Sequence, residues 1–196
     1  MNNIPIGRLT RSSTTNFVFA CRIPEPEVPL FGAFVKAPSQ RGQTDVIGLI
    51  HDIAFTDDLL VRQVAVVPNL PEEIVRDQRD NRQVPIEVGV LAVGYKLGGR
   101  YEHSLPPQPP VTLDQITPCT PDEICLFTER LDFIRLILAA PIASSDELIV
   151  AALRAAADCR QPDDRAAFAK QAGRELARLL SRDLARLESL LRRIKP

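Results

Sequence analysis

The chain has 196 residues, 45% of them hydrophobic, and a formal net charge of −1 at pH 7. This length and composition allow one buried core, or one core with a helical appendage. No apolar run reaches the roughly 20 residues that a membrane-spanning helix needs. The N-terminal residues show neither the basic segment nor the apolar stretch of a secretory signal, so we expect a protein that stays in the cytoplasm.

The charges are distributed unevenly along the chain. Residues 1–164 carry 15 Lys and Arg against 22 Asp and Glu, a net charge of −7. Residues 165–196 carry 9 against 3, a net charge of +6. The sequence therefore predicts a basic C-terminal element on an acidic body.

Short apolar or alternating stretches, separated by Gly, Pro and Asn, fill the chain from residue 17 to about residue 111 and favour strands over helices. The stretches predicted as strands are 17–23, 33–37, 46–53 and 84–95. Gly98-Gly99 predicts a hairpin turn into 100–102. Closing these strands into a small antiparallel barrel removes exposed edges. Residues 70–82, which are polar and charged, are expected to form a loop or a short helix across one end of that barrel.

Helical signals begin after the proline-rich segment 106–110. Thr120, Pro121 and Glu123 form a capping-box pattern. The apolar residues that follow recur at helical spacing: Ile124, Phe127, Leu131 and Ile134. A second helix is predicted over 145–157, because Ser145 and the two acidic residues after it form a similar start.

The longest predicted helix runs from about residue 163 to residue 194. Its apolar residues approximate a heptad seam: Leu176, Leu180, Leu184, Leu187, Leu191 and Ile194. A seam of this kind has to be covered. The sequence leaves three candidates open, namely the helix over 145–157, the barrel, or another chain, in which case the protein self-associates.

The same segment carries four arginines at a spacing of four residues: Arg174, Arg178, Arg182 and Arg186. Such a row is able to grip phosphates or an acidic protein surface, and we take these four as candidate partner-binding residues. The alternative is an exposed helix side with local ion pairs, such as Glu188 with Arg192. Few aromatic residues accompany the row, so stacking on single-stranded bases is not indicated.

Signatures of catalysis and of bound cofactors are missing from the sequence. It contains neither a G-x-x-x-x-G-K-[S/T] phosphate loop nor a G-x-S-x-G nucleophile elbow. The four cysteines are Cys21, Cys119, Cys125 and Cys159. They form no C-x-x-C pair and lie far from both histidines in sequence, so we interpret them as reduced structural thiols. We therefore expect that the protein is not an enzyme and that it holds neither a metal ion nor a cofactor. The weakest alternative is an enzyme that uses His51 or a cysteine.

Four motifs of the strand-rich half occur in a fixed order: Gly7-Arg-Leu9, Thr15-Asn-Phe-Val-Phe19, Pro29-Leu-Phe-Gly-Ala-Phe-Val35 and Val46-Ile-Gly-Leu-Ile-His-Asp-Ile53. Over roughly residues 4–118 this order resembles the HAS barrel, the N-terminal barrel of HerA-type ATPases and of ATP synthase subunits. In HerA-type proteins a motor domain follows the barrel, whereas helical sequence follows it here, and no motor residue matches. The resemblance implies a stand-alone barrel for docking and assembly, with a ring ATPase or a large complex as its partner.

These observations predict an α+β protein. A small closed antiparallel β-barrel is expected over residues 1–118, and a helical region that ends in a long basic amphipathic helix is expected over residues 119–196. The expected function is that of a non-enzymatic interaction module that docks on a protein partner. The alternative from another class is a nucleic-acid-associated accessory factor whose arginine row contacts phosphates.

Overall fold

The computed structural model describes residues 4–21, 29–55, 71–73 and 86–194. In these residues a closed antiparallel β-barrel is followed by five α-helices, which confirms the predicted α+β class. The described strands are β1 (Gly7–Ser12), β2 (Asn16–Cys21), β3 (Phe34–Ser39), β4 (Thr44–Phe55), β5 (Ile86–Leu97), β6 (Arg100–Glu102) and β7 (Gln115–Pro118). The prediction for residues 70–82 falls almost entirely outside the described residues.

Six of these strands close the barrel in the order β1-β7-β3-β4-β5-β2, with β2 pairing back onto β1. The short strand β7 bridges β1 and β3, because Ile116 pairs with Gly7 and Pro118 pairs with Val35. Neither β1 nor β7 was among the predicted strands. Each places a single fully buried residue in the barrel, Leu9 and Ile116 respectively, so neither shows the sustained alternation that identifies a strand.

The predicted hairpin after β5 is confirmed. Gly98 and Gly99 have φ values of 56° and 82°, and β6 returns from them to pair with β5. Both angles lie in the left-handed region that a primed two-residue turn requires, and glycine adopts it without steric cost.

Apolar side chains from all six closing strands fill the barrel interior, and the largest are Phe17 and Phe19 of β2. Gly48 of β4 makes room for Phe17 at a bulge in the β4–β5 pairing. A Cβ atom at this position would lie 2.4 Å from Val90 Cγ1 and 3.1 Å from the Phe17 ring. The glycine is therefore required by close packing inside the barrel.

The outer faces of β3, β4 and β5 are also buried, because the helices cover them. The outward-facing apolar residues of this wall are Phe34, Ile47, Leu49, Leu91 and Val93. They pack in one cluster with side chains from the helical region, among them Phe127, Phe133, Ile137 and Leu148. Burial on both faces explains why residues 90–94 are all buried and apolar instead of alternating with polar residues.

The helices are α1 (Pro121–Phe127), α2 (Ile134–Ala139), α3 (Ser145–Asp158), α4 (Pro162–Leu179) and α5 (Leu184–Ile194). The predicted capping box begins α1: Thr120 Oγ1 accepts from the Glu123 backbone N–H at 3.2 Å, and the Glu123 carboxylate accepts from the Thr120 N–H at 2.9 Å. The helix ends at Phe127 and does not continue to residue 134. At its end the Thr128 hydroxyl donates to the Ile124 carbonyl at 2.6 Å. The predicted second helix is confirmed as α3.

The prediction of one long helix over 163–194 is wrong, because a turn at residues 180–183 divides it into α4 and α5. The Asp183 carboxylate accepts a hydrogen bond from the Arg186 backbone N–H at 3.1 Å, which is the contact of a favoured N-terminal cap. The predicted seam is interrupted there, and Leu184 is 71% exposed. Of the three candidates for covering the seam, the helix α3 packs against both α4 and α5. None of the described helices has the length and apolarity needed to cross a bilayer.

Candidate functional site

The structure distributes the four predicted partner-binding arginines over three elements. Arg174 and Arg178 lie on α4, Arg182 lies in the turn after it, and Arg186 lies on α5. They therefore do not form one straight row on a single helix. Whether they bind a partner stays a prediction, but their surroundings differ and indicate which of them are available.

Arg186 is occupied by contacts within the protein. Its guanidinium lies 2.6 Å from the Asp146 carboxylate and donates to the Ser145 hydroxyl at 3.0 Å. The hydrogen bond from the guanidinium to Asp146 raises the pKa of Arg186. Because Ser145 and Asp146 form the first turn of α3, the contact neutralises a carboxylate at that end of the helix and fixes α5 there.

A second contact of the same kind lies further along α5. The Arg193 guanidinium is hydrogen-bonded to the Glu147 carboxylate, and Arg154 donates to the Arg193 backbone carbonyl at 2.8 Å. Part of the basic charge of the C-terminal segment is thus matched by acidic residues of α3. The predicted basic element on an acidic body is therefore partly neutralised by ion pairs within the protein.

Arg174, Arg178 and Arg182 remain on the surface. Arg178 pairs with Glu175 on its own helix at 2.5 Å, yet its side chain is 62% exposed. Arg174 and Arg182 are exposed, and neither forms an ion pair or a hydrogen bond within the described part of the chain. These two arginines have positive charge that no described neighbour neutralises.

An open groove of about 360 Å³ lies beside Arg174. One wall is the connection between α1 and α2, and the other wall is the side of α4 that carries Arg174. The lining residues are Glu129, Arg130, Leu131, Asp132, Gln171, Arg174, Glu175 and Arg178. Gln171 holds the two walls together, because its amide Nε2 donates to the Glu129 carbonyl at 2.7 Å.

The groove has side chains of both signs. Arg130 pairs with Asp132 at 2.8 Å, and Arg178 pairs with Glu175. Within the described residues Glu129 and Arg174 take part in no ion pair, so one carboxylate and one guanidinium are left for an external partner. The arrangement suits a ligand that presents both a carboxylate and a hydrogen-bond donor, as a protein surface does.

A buried histidine lies beneath this groove. The His103 side chain is 3% exposed, its Nε2 is 2.9 Å from the Phe127 carbonyl, and its Nδ1 is 3.9 Å from Asp132 in the groove lining. Nδ1 has no hydrogen-bond partner. Burial lowers the pKa of His103, although the Phe127 carbonyl and Asp132 act in the opposite direction. Sequence reasoning did not identify His103, since nothing near it in sequence signals the contact with Asp132.

His51 and Cys119 lie on different parts of the fold. His51 lies on β4, where its ring is next to Gly89 of the neighbouring strand, and burial lowers its pKa. Cys119 is buried below α1, and burial raises its pKa far above the usual range. Within the described residues no three His, Cys, Asp or Glu side chains are grouped so that they could hold a metal ion.

The chain matches no protein-family model, and no curated protein matches it.

Proposed function

We propose that the chain is a non-enzymatic interaction module that docks on a protein partner, whose carboxylates contact Arg174, Arg178 and Arg182. The observation that carries the proposal is the contrast among the arginines. Arg186 is committed to α3, whereas Arg174 and Arg182 are exposed and form no ion pair with a described residue, and Arg174 lines the groove. Uncompensated charge beside a concave surface provides electrostatic complementarity to a partner.

The strand-rich half supports the choice of an assembly role. Six strands close into a small barrel, as the resemblance to the HAS barrel leads one to expect. In this proposal the barrel is a HAS-type docking module without a motor, and its partner is a ring ATPase or a large complex. The helices occupy the outer wall of β3 to β5, which leaves the side formed by β1 and β2 for contacts with that complex.

The groove favours a protein over a nucleic acid as the partner. Three carboxylates, those of Glu129, Asp132 and Glu175, lie among its three arginines. A phosphate backbone carries only negative charge and is repelled by such carboxylates, whereas a protein surface is able to offer both signs. The nucleic-acid alternative is also weakened because Arg186, one of the four residues that it requires, is bound to Asp146.

A charge-reversal experiment tests the proposal. Affinity capture with the full chain, followed by mass spectrometry, identifies bound proteins, and the binding of each is then compared among variants. We expect Arg174→Glu with Arg182→Glu to reduce the affinity for the true partner at least tenfold. The matched control is Arg100→Glu with Arg192→Glu, which changes the net charge equally at two other exposed arginines. The control is expected to bind like the unaltered chain.

Two outcomes contradict the proposal. If both double variants bind captured proteins as well as the unaltered chain does, the surface around Arg174 is not a docking site. If the chain instead binds duplex DNA or RNA, with an affinity that falls steeply as salt rises and is lost in the Arg174/Arg182 double variant, then the nucleic-acid alternative is correct.

A further inference from the structure

Two of the four cysteines lie next to each other although 34 positions separate them in the sequence. Cys125 is on α1, Cys159 caps the C-terminal end of α3, and both are partly exposed. The Cys125 thiol donates to the backbone carbonyl of Cys159, with 3.4 Å between Sγ and the oxygen. The other two cysteines, Cys21 and Cys119, are buried elsewhere.

This contact brings the Cys125 sulfur close to Cys159. A carbonyl oxygen lies about 2.4 Å from the Cα atom of its own residue, so Cys125 Sγ lies within about 6 Å of Cys159 Cα. Because a cysteine sulfur lies about 2.8 Å from its own Cα, the two Cα atoms are at most about 9 Å apart, and a disulfide requires about 4.4 to 6.8 Å. Cys159 caps the C-terminal end of α3, so closing the bond requires rotation of the side chains and a shift of that helix end.

A fixed cation interacts electrostatically with both thiols. The Arg160 guanidinium donates to the Thr128 hydroxyl at 2.8 Å and to the Ala156 carbonyl at 2.6 Å, and it also lies 3.4 Å from the Cys125 carbonyl. The guanidinium rests 3.8 Å above the Phe168 ring, so its position is well defined. A positive charge held in this way favours the thiolate, which is the reactive form of cysteine.

From this geometry we infer that Cys125 and Cys159 are a redox modification site, at which a low-molecular-weight disulfide such as oxidised glutathione links the two thiols. One cysteine thiolate attacks a sulfur of oxidised glutathione and releases a glutathione thiolate, which takes up the proton that the cysteine lost. The second cysteine thiolate attacks the resulting mixed disulfide at the cysteine sulfur and releases the second glutathione. Two protein thiols are oxidised and one glutathione disulfide is reduced, so the exchange balances, and a thiol reductant reverses it.

The bond would join α1 to the junction between α3 and α4. This region lies next to the groove, since residues 129–132 follow α1 and α4 carries Arg174. The inference itself does not depend on what binds in the groove, because it concerns only the two sulfurs and Arg160.

Peptide mapping of the full chain tests the inference. The chain is incubated with excess oxidised glutathione at pH 8.5, alkylated and digested. We expect the Cys125 and Cys159 peptides to be linked to each other, the denatured protein to retain two of its four thiols, and dithiothreitol to restore all four. Burial raises the pKa of Cys159, and the neighbouring Cys125 thiol raises it further, whereas the positive charge of Arg160 lowers it. Linkage should therefore be slower at pH 7, by about tenfold for each pH unit below the pKa of the attacking thiol.

Variants and controls make the result decisive. Cys119→Ser leaves the pair intact and should still give the 125–159 link, whereas Cys125→Ser and Cys159→Ser should each abolish it. Circular dichroism checks that each variant is folded. If a variant does not fold, peptide mapping of the unaltered chain still shows whether the 125–159 link forms. The inference is overturned if all four thiols remain, if only glutathione adducts form, or if a link involves Cys21 or Cys119.

Discussion

The guanidinium of Arg186 is joined to Asp146, forty positions earlier in the chain, by a contact of 2.6 Å. The pair holds the last helix against the first turn of α3 and is only about one-third exposed. It replaces the i, i+4 row in which Arg186 was expected to stand. We therefore treat Arg186 as a structural residue of the helical region and Arg174 and Arg182 as the residues available to a partner.

Arg186→Ala is expected to lower the free energy of unfolding by about 1 kcal/mol, because it removes charge-assisted hydrogen bonds to Asp146 and Ser145 that solvent screens in part. Urea unfolding followed by circular dichroism measures the change. Arg192→Ala provides the control, since Arg192 and Glu188 form a pair that is highly exposed on both sides, and it should leave the stability unchanged within error. Equal effects of the two substitutions would contradict the structural role of Arg186.

Glu123 connects the barrel to the helices, because its carboxylate is paired with Lys36 of β3 at 2.5 Å. Burial alone would raise the pKa of Glu123, but the hydrogen bonds from Lys36 and from the Thr120 N–H outweigh it and lower the pKa below 4.5. The stabilisation is therefore present above about pH 4.5 and is lost as the pH falls through the lower folded-state pKa. We expect Glu123→Gln to remove this part of the acid sensitivity in urea unfolding curves recorded from pH 7 to pH 3.

Glutamine at position 123 keeps the capping hydrogen bond to the Thr120 N–H, so the substitution isolates the pairing with Lys36. Lys36→Met is the complementary change and should cost about 2 kcal/mol at pH 7, because it leaves a largely buried carboxylate unpaired. If a variant at either position is as stable as the unaltered chain and shows the same pH dependence, the pair of Lys36 and Glu123 contributes nothing to stability.

His103 is expected to titrate below pH 6.5 in the folded protein, because burial lowers its pKa. The unfolded chain then binds more protons than the folded chain below pH 6.5, so the free energy of unfolding falls as the pH drops from 6.5 towards the folded-state pKa. Imidazole NMR signals of the unaltered chain and of His51→Asn, which leaves His103 as the remaining histidine, measure the midpoint. A midpoint at or above 6.5 would mean that Asp132 outweighs burial.

Gly32 precedes β3 with a φ of +80°, and a Cβ atom built on it would lie 2.3 Å from Ala151 Cβ of α3. Gly32→Ala is expected to cost at least about 2 kcal/mol, because it combines backbone strain with a steric clash. Adding Ala151→Gly should recover part of that loss, since it removes the clash but not the strain. If the double variant is no more stable than Gly32→Ala alone, the close approach of Gly32 to Ala151 of α3 is not what opposes the side chain.

Local signals in the sequence were sufficient for much of the fold. The capping box at Thr120 and Glu123 and the turn at Gly98 and Gly99 depend on hydrogen bonds and backbone angles within a few residues, and the structure has both. The main strands of the barrel were also predicted, because each contains a long run of apolar or alternating residues. Strand β7 was not, since its role is to bridge two distant strands and its four residues show no pattern of their own.

The surface was less predictable for a physical reason. The leucine spacing continues through residues 180–183, so periodicity alone gave one helix, although Asp183 is a favoured capping residue and was the signal that could have revealed the break. The partner of Arg186 lies forty positions away in the sequence. The two walls of the groove, which the hydrogen bond between Gln171 and Glu129 joins, are also far apart in the sequence. Such contacts depend on tertiary packing, which a one-dimensional pattern does not contain.

The strands β3 to β5 form a wall with one hydrophobic core on each side, so the barrel and the helices share this wall when the chain unfolds. Removing residues 119–196 would leave Phe34, Ile47, Leu49, Leu91 and Val93 facing water as one contiguous patch. Exposed apolar area of this kind promotes aggregation, so the barrel is not expected to be an autonomous folding unit. Amide hydrogen exchange should report a single cooperative opening for the β4–β5 pair and for α3, with similar protection in both.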